Sequence, residues 1–177
     1  LRRIDRRCRS DYSEILIMVP QRERMLTRMW QYVIATRPWS FTMSLISISV
    51  GTLLAAEEGP ISWAWYLLTA LGITVFHAAA NVINDYFDAR YRIDEPDSPT
   101  AKYRPQPIIS GMLTPAQLLW EAVFLFALTF VIGMTMAVAL SWHVLWIGFV
   151  GFLVSVYYTA SPIKFKYRAL GELAVFA

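Results

Sequence analysis

"FHAAANVINDYFDAR", residues 76–90, closes an apolar run that begins near Ile61 and ends it in amides and acids. If the run continues as a helix, His77, Asn81, Asp85 and Asp88 fall at i, i+4, i+8 and i+11, along one side of the cylinder. Asn84 lies beside Asp85 on an adjacent face. Charge in hydrocarbon is expensive, so carboxylates closing a run of membrane length are a functional-site hypothesis. Acids at a helix C-terminus also oppose the helix dipole, which calls for a cation beside them.

Outward from this stretch the chain keeps the same character. Of its 177 residues 56% are hydrophobic and 16% charged, and seven Trp and nine Tyr suit the two lipid–water interfaces. A bilayer core needs about 20 apolar residues in a helix. Segments 39–56, 61–83, 118–140 and 142–160 meet that length, and a fifth apolar run starts at Leu170. The expected fold class is all-α, a polytopic transmembrane helical bundle with four spans and the start of a fifth. The single cysteine, Cys8, excludes an internal disulfide.

Charge placement orients the bundle. All sixteen Lys and Arg fall in three places: nine before Pro38, four between Arg90 and Arg104, and three between Lys164 and Arg168. The intervening turns hold Glu57, Glu58 and His143 but no Lys or Arg. The positive-inside rule then predicts a cytoplasmic N-terminus and cytoplasmic loops at 85–113 and 161–169. The basic balance is read as attraction to anionic lipid headgroups and an anionic substrate, and nucleic acid is not expected as a partner. From Pro20 to Ala35, Met25, Leu26, Met29, Trp30, Val33 and Ile34 recur at helical spacing, with Arg22, Arg24 and Arg28 on other faces. That pattern predicts a helix lying in the membrane interface. Two regions follow: residues 1–37, a cytoplasmic segment with this amphipathic helix, and 38–177, the transmembrane domain.

The oxygen ligands of Asn81, Asp85 and Asp88 are hard donors. Mg²⁺ takes one or two carboxylates, keeps waters, and completes its shell with substrate phosphates; zinc would want Cys or more His. The next loop carries the opposite sign, with Arg90, Arg92, Lys102 and Arg104 alternating with Asp94, Glu95 and Asp97. Bases there are suited to phosphate oxygens and to the charge that grows as a diphosphate departs. Glu95 and Asp97 read as a solvated loop face, and His77 as a satisfied buried histidine.

These residues resemble the UbiA-type intramembrane prenyltransferases, whose first signature is N-D-x-x-D-x-x-x-D with an Asn three residues before it. Asn81, Asn84, Asp85 and Asp88 match. Arg92 occupies the last Asp position, and Asp94 is the nearest acid to replace it. The spelling "NDYFD" is similar to the menaquinone-pathway branch. "TRPWSF" (36–41) resembles the Arg-Pro entry to the family's first span, and "RPQPIISGMLTP" its R-P-I-x-S-G loop, lengthened by Gln106 and Pro107. "YYTASPIKFKYRALGEL" is similar to the stretch joining the fourth and fifth spans. Where the family carries Tyr-x-x-x-Lys, Tyr158 is followed by Pro162, and Lys164 and Lys166 are the nearest substitutes.

The resemblance implies a bundle of nine helices around a cavity open to lipid, with a second D-x-x-x-D motif on a later helix. Glu172 is the only acid after Glu121, so the sequence is expected to represent the N-terminal half of such a bundle. It implies a Mg²⁺-dependent transfer of a polyprenyl group from an allylic diphosphate to an aromatic quinone precursor. Asp85 and Asp88 are the implied catalytic pair, and Asn81, Asp85, Asp88 and Asp94 the implied metal ligands. Arg37, Asn84, Lys102, Arg104, Tyr158 and Lys164 are the implied substrate contacts. The setting implied is a multi-pass protein of a bacterial or archaeal cytoplasmic membrane. Rival readings are transfer to a tetrapyrrole, as in chlorophyll synthases, and a non-catalytic subunit binding quinone or pigment in a larger membrane complex. A transporter ranks low, because its polar residues would collect at the midplane.

Overall fold

The computed structural model describes residues 21–91 and 106–167, and among them every regular element is helical. Helix α1 (Gln21–Ala35) leads through a 3₁₀ turn (Pro38–Ser40) into α2 (Phe41–Ala55). Helix α3 (Trp63–Arg90), α4 (Pro115–Ala139) and α5 (His143–Thr159) follow, then a second 3₁₀ turn (Phe165–Tyr167). The expected all-α bundle is therefore what forms. Three stretches are long and apolar enough to cross a membrane: Thr27–Ala55, which runs through the first 3₁₀ turn, Trp63–Arg90 and Pro115–Ala139.

The helix bounds differ from the expected spans: 61–83 is helical over Trp63–Arg90 and 118–140 over Pro115–Ala139. The span expected from Trp39 starts its α-helix at Phe41, because Pro38 begins a 3₁₀ turn and the residue before a proline is kept out of the helical region. The span expected at 142–160 is helical over 17 residues, about 26 Å, short of the ~30 Å hydrocarbon core. The fifth apolar run and residues 1–20 lie outside the described residues.

In α2, α3 and α4 many hydroxyls are satisfied within their own helix. The hydroxyls of Ser47, Ser49, Thr52, Thr69, Thr74, Thr129 and Thr135 bond the carbonyl four residues back. This is how a hydroxyl is tolerated where no water can serve it. Helix α4 opens on a capping box: Thr114 Oγ1 accepts from Gln117 N, and Gln117 Oε1 accepts from Thr114 N.

Helix α3 is the hub, packing most extensively on α4 and also against α2 and α5. Its buried positions Ala78, Ala79, Val82 and Ile83 lie just before the acids. Val82 and Ile83 join Ala35, Leu113, Leu118 and Ala122 in one core cluster. Large apolar side chains elsewhere face outward, among them Trp63, Trp120, Trp146 and Ile147. That is the pattern of a surface whose solvent is lipid.

Candidate active site

The helix does persist through the acids: α3 runs unbroken to Arg90, so Asn81, Asp85 and Asp88 share a side as the spacing predicts. Asp85 is 4% exposed and Asp88 is 0% exposed. Carboxylates buried to that degree require compensation, and each receives a basic group from a different element. Arg37 Nη2 pairs with Asp85 Oδ1, and Lys166 Nζ lies 2.7 Å from Asp88 Oδ2.

Backbone conformation delivers the first of these bases. Arg37, between α1 and the Pro38–Ser40 turn, has φ 56° and ψ 63°. A left-handed conformation costs a non-glycine residue on the order of 1–3 kcal/mol, and such strain gathers at functional sites. Lys164 is left-handed too, at φ 52°. It does not reach the carboxylates: its Nζ stands 3.7 Å over the centre of the Tyr91 ring, a cation–π contact. Lys166, two residues on, carries the ion pair. Ser161 N donates to Tyr91 Oη at 3.0 Å, so three contacts bind the segment after α5 to the end of α3.

The 106–114 segment covers the site. Gln106 is 5% exposed and Pro107 is fully buried, and with Ala89, Ile108 and Ile109 they enclose a cavity of about 10 Å³ against Asp85. The segment is a compact turn, with Ser110 N donating to Gln106 O and Leu113 N to Pro107 O. Gly111 sits at φ 71° within it, a conformation that glycine adopts without strain. The extra Gln106–Pro107 pair is thus the lid over Asp85.

Of the other expected site residues, Asn81 Nδ2 donates to Thr36 O at 2.9 Å and to Ser40 Oγ at 3.1 Å. Asn84 Oδ1 is buried and accepts no hydrogen bond. Tyr158 is half-buried in the last turn of α5 and forms no hydrogen bond to these groups. Asp94, Lys102 and Arg104 lie outside the described residues. His77, read as a satisfied histidine, is one: its ring nitrogens lie 2.7 Å from Ser44 Oγ and 3.2 Å from Ser40 Oγ. Ser40, Ser44 and Gln106 were not marked as site residues by the sequence. Ser40 and Ser44 are small polar residues at the start of an apolar span, a weak signal, and Gln106 is marked only as an addition to its loop motif.

Among the described residues no three His, Cys, Asp or Glu side chains cluster. The donor set is two buried carboxylates with the oxygens of Asn81 and Asn84. The orphaned Asn84 Oδ1 and the all-oxygen chemistry fit a hard cation that shares its shell with phosphate and water.

An apolar helical bundle carrying buried carboxylates paired with bases at one helix end defines a class, membrane-type helical bundles with a charged site at a helix terminus. Residues 44–177 match the UbiA prenyltransferase family, and the chain belongs to it. UbiA prenyltransferase domain-containing protein 1 of Mus musculus is 32% identical over 169 residues, 88% of this chain and 47% of its own length. The Drosophila melanogaster homolog of that protein is 34% identical over 152 residues, 81% of this chain and 40% of its own. The 1,4-dihydroxy-2-naphthoate octaprenyltransferase of Bacillus subtilis is 27% identical over 154 residues, 87% and 48% respectively. The chain thus spans about half the length of these curated relatives. No solved structure matches it.

Proposed function

We propose that this chain contributes the first diphosphate-binding face of an integral membrane prenyltransferase, which moves a polyprenyl group from an allylic diphosphate to an aromatic quinone precursor. The observation that carries it is the pairing of Asp85 and Asp88, both buried at the end of one apolar helix, with Arg37 and Lys166 from separate elements. A naphthoate-type acceptor is the reading supported by similarity to the 1,4-dihydroxy-2-naphthoate octaprenyltransferase of Bacillus subtilis. Membership of the UbiA family supports the reaction class. The regions 1–37 and 38–177, and a cytoplasmic N-terminus, are part of the same reading.

In this reading Asn81, Asn84, Asp85 and Asp88, with Asp94 from the loop, would hold Mg²⁺. When bound, that ion neutralises diphosphate charge and so eases heterolysis of the allylic C–O bond. Arg37 and Lys166, which pair with the carboxylates, would donate to phosphate oxygens, as would Lys102 and Arg104. Lys164, held on Tyr91, supplies positive potential one step further out. The bond pair leaves with the diphosphate, and the allylic cation is captured by an electron-rich ring carbon, which then loses its proton. The face of Tyr158 is suited to stabilise that cation. Gln106 and Pro107 keep bulk water from the Asp85 side, which limits capture of the cation by water.

The test is transfer of a labelled polyprenyl diphosphate to a dihydroxynaphthoate by the full-length protein in membranes, with and without Mg²⁺. Asp85→Ala is expected to lower turnover by more than about 100-fold, beyond the range typical for loss of an outer-shell partner of a metal ligand. Near-normal transfer by Asp85→Ala, or by the wild type in excess chelator, would sink the reading.

A further inference from the structure

Beneath the paired ions lies a second polar layer, of which the reaction as proposed uses Asn81 but neither Ser40 nor His77. Ser40 Oγ is 2.8 Å from the Arg37 carbonyl, 3.1 Å from Asn81 Nδ2 and 3.2 Å from His77 Nε2. A carbonyl only accepts, so the one hydroxyl proton of Ser40 goes to Arg37 O, and both its lone pairs must accept. Asn81 Nδ2 and His77 Nε2–H fill them. The His77 ring is therefore protonated at Nε2, and its Nδ1 accepts from the Ser44 hydroxyl at 2.7 Å. The other amide hydrogen of Asn81 goes to Thr36 O at 2.9 Å.

Every proton in this chain runs in one sense. Exchanging the amide oxygen and nitrogen of Asn81 would set Oδ1 against the Thr36 carbonyl and against a Ser40 oxygen whose proton is already committed. Two hydrogen bonds would become two acceptor–acceptor contacts. With both amide hydrogens spent on the α2 side, Oδ1 is the uncommitted atom of Asn81.

We infer that Ser40 and His77 are positioning residues that lock the Asn81 amide with its nitrogen toward α2 and its oxygen left for a cation. An unlocked Asn81 would present NH₂ in a share of molecules, and an NH₂ group repels a cation. His77 acts at one remove: by donating to Ser40 it keeps that hydroxyl pointed at Arg37 O. Arg37 also pairs with Asp85, so the same turn sets the amide and the base beside the carboxylate. The inference rests on the metal face proposed above.

The experiment is a Mg²⁺ titration of the full-length protein, read without substrate as the shift in thermal unfolding, and separately as the Mg²⁺ needed for half-maximal transfer. Loss of an outer-shell partner typically weakens metal binding about 10- to 100-fold. Ser40→Ala and His77→Phe are expected to raise both Mg²⁺ midpoints by about 10-fold or more on that basis, while turnover at saturating Mg²⁺ is largely kept. Ser40→Thr, which retains the hydroxyl, is expected to restore the wild-type midpoint. If Ser40→Ala does not fold, His77→Phe carries the same test. Unchanged Mg²⁺ midpoints in these variants, with binding lost in Asp85→Ala, would overturn the positioning role and leave the metal face intact. Unchanged binding in Asp85→Ala would overturn the metal face itself, and this inference with it.

Discussion

At the scale of the residue, Asp88 is the most informative position. Its full burial beside Lys166 makes the pair a structural link as well as a feature of the site. Lys166→Met keeps much of the aliphatic stem and removes the charge-assisted bond, so a loss of about 1.5–3 kcal/mol is expected, read as a lower unfolding temperature in detergent. Lys166→Arg, which preserves the charge, is expected to retain most of that stability. The carboxylates were legible in the sequence because charge stands out in an apolar run. Their partners were harder to read, since Arg37 is 48 residues from Asp85 and Lys166 is 78 from Asp88, and no periodicity spans such distances. Choosing Lys166 over Lys164 needed the folded backbone: Lys164 is left-handed and its ammonium lies on Tyr91, while Lys166 reaches Asp88.

At the scale of the element, two features decide how α4 meets its neighbours. The first is the capping box at Thr114, readable from the order Thr-Pro-x-Gln. Thr114→Ala should cost about 1 kcal/mol, the usual price of a lost N-cap, and thermal unfolding measures it. The second is the close approach of α3 and α4 at Gly72, where a Cβ would meet Ile132 Cγ2 at 3.1 Å. Gly72→Val adds two further carbons to that contact and is expected to destabilise by about 1–3 kcal/mol, as overpacked cores do. If Gly72→Val unfolds at the wild-type temperature, the tight approach is not what holds the pair together. Helix existence followed from apolar runs of membrane length. Which helix would be central did not, because α2, α4 and α5 are as uniformly apolar as α3, and uniform apolarity leaves no face marked for a partner. The polar end of α3, with Glu121 on α4, broke that symmetry.

At the scale of the whole molecule, the outward-facing Trp, Leu, Ile and Phe side chains make lipid the natural surroundings of the bundle. Orientation can be tested through the lone cysteine, Cys8. A membrane-impermeant maleimide is expected to leave Cys8 unlabelled in intact cells and to label it in inverted vesicles; the opposite pattern would reverse the proposed topology. Helix α3 has a further consequence when measured against the bilayer. Its 28 residues extend about 42 Å, whereas the hydrocarbon core is only about 30 Å thick. With Trp63 anchored at the far interface, the surplus of about 12 Å is roughly the last eight residues, from Ile83 to Arg90. On that placement Asn84, Asp85 and Asp88 would stand at headgroup depth, with Asp85 and Asp88 shielded by protein. For the prenyl diphosphate proposed above, phosphates at the headgroups and a tail in the leaflet would meet this end of α3 without a change of depth.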